Sequence, residues 1–257
     1  MVLNDAMEYI EHGVKYSTGT LTIPQQNLLA VVYKKGTLPI ISLSQTLGNL
    51  THSATQSSYP DQRLVKMYLR SVIHKAVERS IHLLILIDNN IWPFLETTEE
   101  ILFFLKLKAD INRHLFELGR NQEGHNRQLE RRINAYLLYQ QANQNAQEAL
   151  HPFHSLRLSI TLRFCIFLHK FYDSTPHAKE KALAAFDHAV FHISSYCSMS
   201  PKSESFMLLK LILDSLKVWG LGEIPLRHRH STYQALCIKY GITKIDIETA
   251  TLAEGNH

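Results

Sequence analysis

What is scarce in this chain narrows its class first. Only three cysteines occur in 257 residues: Cys165, Cys197 and Cys237. They are far apart, odd in number and set in helix-like surroundings. Neither a disulfide framework nor a cysteine metal site is readable, and a reducing compartment is expected. The 10 glycines and 8 prolines are also few, and most stand where a helix would begin or end. No stretch joins β-branched alternation to hairpin turn chemistry, so a sheet-based fold has no support. The densest apolar run, IHLLILI at 81–87, is far too short to span a bilayer. The opening MVLNDAMEYIEHG has early acids and no apolar centre, so no secretory leader is seen. Net charge is +4 without a long Lys/Arg run, which gives no nucleic-acid arm. G-x-S-x-G, H-E-x-x-H and a glycine-rich phosphate loop are all missing, so no catalytic residue is readable. His228 and His230, two apart in RHRH, fall short of the three or four converging ligands a metal needs. These absences lead us to expect a soluble cytoplasmic protein that is not an enzyme, holds no metal or cofactor, and binds neither membrane nor nucleic acid.

What is present is helical. Hydrophobic residues make up 45% of the chain, enough for a sizeable core. Pro24 opens PQQNLLAVVYKK, which Gly36 and Pro39 are expected to disturb. SATQSSYP reads as a loop, followed by one long helix through residues 61–90 that stops before Pro93. Thr97 and Glu100 have capping-box spacing and start the next helix. Further helices are expected over 125–150 and 155–173. Ser174 with Pro176, and Ser200 with Pro201, mark two more starts. Gly220 is a good residue to end the last of these. The pattern predicts an all-α fold of consecutive antiparallel helices joined by short loops.

LKLKADINRHLFELG (105–119) raises a sharper question. Lys106, Asp110, Arg113 and Glu117 fall within a stripe roughly 60° wide, with alternating sign. Apolar residues flank it widely, from Phe103 and Phe104 to Leu118. A surface helix normally has the reverse proportions. Two readings stay open on periodicity alone: a solvated row of i,i+4 pairs, or a charged seam on a helix packed from several sides.

Other helices carry isolated cations on apolar backgrounds. Lys34 follows NLLAVVY, and Arg163 shares a face with Lys170, seven residues on, with Ile166 between. Cations spread over separate helices suit a phosphate, because guanidinium binds it in bidentate fashion and ammonium adds a point charge. Apolar rows accompany them: Leu162 with Ile166, and Met207 with Leu211, continued by Val218 or Trp219.

Five segments, in order and nearly in register from about residue 7 to Trp219, resemble the 14-3-3 family. They are NLLAVVYKK, LKLKADINRHLFEL, HPFHSLRLSITLRFCIF, AFDHAV and LLKLILDSLKVW. The resemblance implies an all-helical array with a concave amphipathic groove that binds phosphoserine or phosphothreonine segments of client proteins, usually as a dimer. It places Lys34 and Arg113 at phosphate-binding positions. It lines the groove with Lys106, Asp110, Glu117, Leu162, Ile166, Lys170, Met207, Leu211, Ser215 and Trp219. Several positions depart from the family pattern. The second phosphate arginine falls on Ile41, and the phosphate-binding tyrosine falls on His114, which is expected to serve as a donor. The two client-backbone asparagines fall on Arg163 and Ser215. Arg163 is expected to take over part of the lost arginine's role, and Ile41→Arg is expected to strengthen binding. The alternative is a scaffold of the same fold that has lost phosphate dependence.

The two ends also depart. The resemblance leaves room for the family's second helix at MEYIEHGVKY but no counterpart of its first, so self-association weaker than the family norm is expected. Residues 1–220 are read as the 14-3-3-like domain and 221–257 as an extension. Within the extension Ser231 is expected to cap a short extra helix that Gly241 ends. Thr232, three residues after Arg229, is read as a possible phosphosite through which the tail would compete for the groove.

Overall fold

The computed structural model describes residues 9, 12–14, 21–53, 60–119, 124–196 and 203–243. Among them there is no strand. Eight long helices follow in order: α1 (Ile23–Ser53), α2 (Pro60–Leu86), α3 (Thr98–Gly119), α4 (His125–Ala149), α5 (Ser155–Phe171), α6 (Thr175–Tyr196), α7 (Ser203–Val218) and α8 (Glu223–Lys239). The fold is all-α, as the pattern predicts. The chain divides into two compact units, Met1–Ala135 and Tyr136–His257, with the division inside α4. Most of MEYIEHGVKY, the SATQSSYP loop and the Ser200–Pro201 start lie outside the described residues.

In the first unit, α1 starts at Ile23, one residue ahead of the proline. The Thr22 backbone N–H donates to Gln25 Oε1 at 2.8 Å. The helix then runs straight through Gly36 and Pro39 to Ser53, contrary to expectation. Packing explains why. An interior proline costs about 3 kcal/mol, while Leu29, Val32, Tyr33 and Ile41 are all buried and each such side chain contributes roughly 1.5–3 kcal/mol. Tertiary burial therefore outweighs the local penalty.

Helix α2 does stop ahead of Pro93, but by widening: Ile87–Ile91 form a π-turn and Trp92–Phe94 a 3₁₀ turn. Its buried residues Ile73, Ala76, Ser80 and Leu83 recur at three- and four-residue steps, one face turned to α1 and α3. Helix α3 begins at the expected capping box. The Glu100 backbone N–H donates to Thr97 Oγ1 at 3.2 Å, and Thr97 N–H returns to Glu100 Oε2 at 3.0 Å. That backbone bond, more than any other contact, holds the Glu100 carboxyl below its ordinary range. From Leu102 onward α3 is buried on nearly every side.

In the second unit, α5 is the centre, packed by α6 and α7. Tyr139 from α4 stacks on Phe164 and meets Phe167 with ring centres 6.1 and 5.2 Å apart. Thr161 Oγ1 donates to Asn143 Oδ1 at 2.8 Å, a buried tie between α5 and α4. Cys165 is fully buried here, and burial pushes its thiol up to about 12, so it acts as a packing residue. Gly220 ends α7 at φ +76. Leu221 N–H donates to Leu216 O at 2.9 Å, the six-to-one bond of a Schellman motif, which favours glycine at the left-handed position.

Helix α8 is longer than the extra helix read from sequence. Gly222, not Ser231, precedes its first turn. Ser231 lies inside it and donates to Arg227 O at 3.1 Å. Gly241, at φ +66, follows its end as expected. Arg229 docks α8 on α6 through two bonds to Asp187, Nε to Oδ1 at 2.9 Å and Nη2 to Oδ2 at 2.6 Å. Thr232 donates to His228 O at 3.0 Å within the helix. Arg229 is thus engaged in packing, and Thr232 sits in regular helix rather than in an extended tail segment.

Candidate functional site

In the first unit the site is built around Arg113. Its side chain is only 12% exposed, and those of Asp110 and Glu117 only 3%. The stripe on α3 is therefore a packed charged seam, not a solvated row. Arg113 Nη1 donates to Glu117 Oε1 at 2.7 Å, a charge-assisted bond of the strong kind. The other Glu117 oxygen accepts from Gln45 Nε2 at 3.0 Å, which ties α3 to α1. Asp110 Oδ1 stands 3.9 Å from Arg113 Nη2, close enough for attraction but too long for a hydrogen bond. One guanidinium thus faces two buried carboxylates. Lys106 and Lys34 are half-buried on α3 and α1.

His114 occupies a different place from the one expected of a phosphate donor. It is 1% exposed. Its Nε2 lies 2.8 Å from Arg113 Nη2 and its Nδ1 3.3 Å from the Tyr33 hydroxyl. Tyr33 in turn meets Ser80 Oγ at 3.2 Å, and Ser80 donates to Ala76 O at 2.7 Å. Burial pushes the Tyr33 phenol well above its ordinary value, so it keeps its proton.

Ile41 is 5% exposed and packs with Ile73, Ala76 and Leu118, where α1, α2 and α3 meet. The surroundings that would receive an arginine there are apolar. Sequence reasoning missed Tyr33, Gln45 and Ser80. One signal was available for Gln45: Lys34, Ile41 and Gln45 repeat the i, i+7, i+11 spacing of Lys106, Arg113 and Glu117, so they share a stripe. Nothing in the sequence marks Ser80, which acts through a fold contact 47 residues from Tyr33.

The second unit carries the other expected residues, which separate by burial. Leu162 and Met207 are 2% and 1% exposed and belong to the core rather than to a groove wall. Ile166 and Leu211 are half-buried. Trp219 is buried, its ring 5.3 Å from that of His169. Ser215 donates to Leu211 O at 2.8 Å, so its hydroxyl proton is committed to its own helix. Lys170 is exposed, with its ammonium 5.0 Å from the centre of the Phe171 ring. Arg163 is half-buried and has no hydrogen bond or ion pair with the described residues. No described helix is long and apolar enough to cross a membrane.

Comparison with known proteins gives a consistent result. The family model described as 14-3-3 protein matches residues 2–220. The chain is 27% identical over 225 residues to the "14-3-3-like protein" of Solanum tuberosum, covering 84% of this chain and 82% of that protein. It is 29% identical over 227 residues to the "14-3-3 protein 4" of Solanum lycopersicum, with the same coverage of 84% and 82%. A "14-3-3 protein homolog" of Trichoderma harzianum is 26% identical over 211 residues, 79% of this chain and 76% of that protein.

Proposed function

This chain belongs to the 14-3-3 family, and on that premise we propose that it is a non-catalytic cytoplasmic adaptor that binds phosphoserine or phosphothreonine segments of client proteins. Family membership supports a phosphopeptide-binding role in general. The finer reading is an altered pocket, in which Lys34 and Arg113 hold the phosphate and no arginine stands at position 41. The observation that carries it is the bracing of Arg113. A guanidinium fixed by Glu117 at 2.7 Å and His114 at 2.8 Å has already lost much of its side-chain freedom. Less entropy is then given up when an anion arrives. Glu117 and His114 orient the cation, Asp110 adds attraction, and Lys34 supplies a second positive charge from α1.

The test is titration of the full chain with a phosphorylated peptide, repeated for Lys34→Glu and Arg113→Ala. Each charge-assisted bond contributes about 1.5–3 kcal/mol, so either variant should lose at least roughly tenfold in affinity. Wild-type affinity in both variants would sink the assignment of these two residues.

A second reading, a scaffold of the same fold without phosphate dependence, is favoured by two observations. Two buried carboxylates face Arg113, and Ile41 is packed in an apolar cluster. Under this reading phosphorylated and plain peptides bind alike. Arg163, in the second unit, is proposed as a phosphopeptide-binding residue on the resemblance alone. Self-association is proposed through α2, where Leu64, Met67 and Tyr68 are 65%, 58% and 70% exposed.

A further inference from the structure

We infer that His114 is a positioning residue for Arg113, locked with its proton on Nδ1 by a buried hydrogen-bond chain through Tyr33 and Ser80.

The proton positions follow from the two ends of the chain. A guanidinium has donors and no acceptor. Its Nη2 lies 2.8 Å from His114 Nε2, so Nε2 is the bare, accepting nitrogen and the ring is neutral. The remaining ring proton is on Nδ1, which donates to the Tyr33 oxygen at 3.3 Å. At the other end the Ala76 carbonyl only accepts, and the Ser80 hydroxyl proton goes to it at 2.7 Å. Ser80 Oγ is therefore the acceptor toward Tyr33, and the phenol O–H donates across 3.2 Å. The phenol thus gives one bond, to Ser80, and receives one, from His114. Arg113 to His114 to Tyr33 to Ser80 to Ala76 is one directed series with every proton assigned.

Burial makes the series consequential. His114, Tyr33 and Ser80 are 1%, 2% and 0% exposed, so no solvent competes for their bonds, and a broken link leaves an unsatisfied buried group. The resemblance sets a phosphate-binding tyrosine at this position. A histidine with a bare Nε2 instead turns an acceptor toward the arginine. Glu117 holds Nη1 from one direction and His114 holds Nη2 from another. With two nitrogens of one planar group fixed, the direction of the guanidinium is fixed as well. Tyr33, on α1, and Ser80, on α2, thereby act on the cation of α3 without touching it.

The test has two arms. One reads the ring nitrogens of His114 by ¹⁵N NMR in the full chain near neutral pH, with no ligand. A protonated Nδ1 and a bare Nε2 are expected, and Tyr33→Phe should move the ring away from that state. The other arm, which rests on the phosphopeptide reading, titrates a phosphorylated peptide. Tyr33→Phe should weaken binding about three- to tenfold, the worth of one neutral hydrogen bond, and leave the unphosphorylated twin unchanged. His114→Gln, which keeps an acceptor, should retain more affinity than His114→Phe, which fills the volume without one. A proton on Nε2 or a charged ring in the wild type overturns the inference. So does a Tyr33→Phe variant whose His114 signals and affinity both match the wild type. If the wild type shows the expected tautomer and yet no preference for phosphate, the positioning chain stands and the phosphopeptide reading falls.

Discussion

Arg113 in the first unit and Arg163 in the second are held in opposite ways. On α3, Asp110, Arg113 and Glu117 are buried or nearly so, and every one is engaged with a neighbour. On α5, Arg163 is half-buried with no hydrogen bond or ion pair among the described residues, and Lys170 is exposed. A buried cation must be paired because leaving it unpaired costs several kcal/mol, whereas a half-exposed one is held by water at little cost. The first arrangement yields a cation of fixed direction, the second one that water can hold. Substitution of Arg113 should therefore change fold and binding together, and substitution of Arg163 binding alone.

The largest expected effect is at Arg113. Arg113→Ala leaves Asp110 and Glu117 buried without their guanidinium, which should lower unfolding free energy by about 3–5 kcal/mol. Chemical denaturation measures it. A loss below about 1 kcal/mol would mean that the seam is solvated after all.

Ile41→Arg comes next. The sequence alone predicts stronger phosphopeptide binding, but the structure adds a cost. The side chain is packed against Ile73, Ala76 and Leu118, and forcing a larger one into such a site costs typically 1–3 kcal/mol. A fall in thermal midpoint is expected, and an unchanged midpoint would show that position 41 opens readily to solvent.

The contrast between these substitutions shows what was readable in advance. The cap at Thr97 and Glu100 is a local pattern and was legible, because both partners lie within one turn. The stripe from Lys106 to Glu117 was legible as a stripe, since spacing alone defines it. Its burial was not, because that depends on α1 and α2 closing over α3. The same limit produced the errors. Gly36 and Pro39 are local helix breakers, overridden by the burial of Leu29, Val32, Tyr33 and Ile41. Ser231 looks like a cap until Arg229 docks on Asp187 and Gly222 takes the start of α8. His114 looks like a surface donor, but it is 1% exposed and lies against Tyr33, 81 residues away. Leu162 and Met207 were readable as apolar, but periodicity does not say which apolar positions face the core.

Arg163→Asn probes the other unit. No bond to a described residue is lost, so stability should stay within about 0.5 kcal/mol of wild type. Phosphopeptide affinity is expected to fall by up to about tenfold. A large loss of stability would contradict the contrast between the units.

Gly220→Ala, at the end of α7, is expected to touch stability alone. The added methyl meets nothing closer than Lys179 Nζ at 3.8 Å, so only the strain of φ +76 remains, about 1–2 kcal/mol. A matching loss in thermal unfolding, with phosphopeptide affinity unchanged, would confirm that this turn serves folding alone.

The central claim is that a braced arginine with a lysine partner still recognises phosphate although position 41 is isoleucine. Calorimetric titration of the full chain with one client peptide, phosphorylated and plain, measures that directly. The account predicts at least tenfold tighter binding of the phosphorylated form, about 1.4 kcal/mol or more. Equal affinity for the two peptides would contradict it and leave the phosphate-independent scaffold in its place.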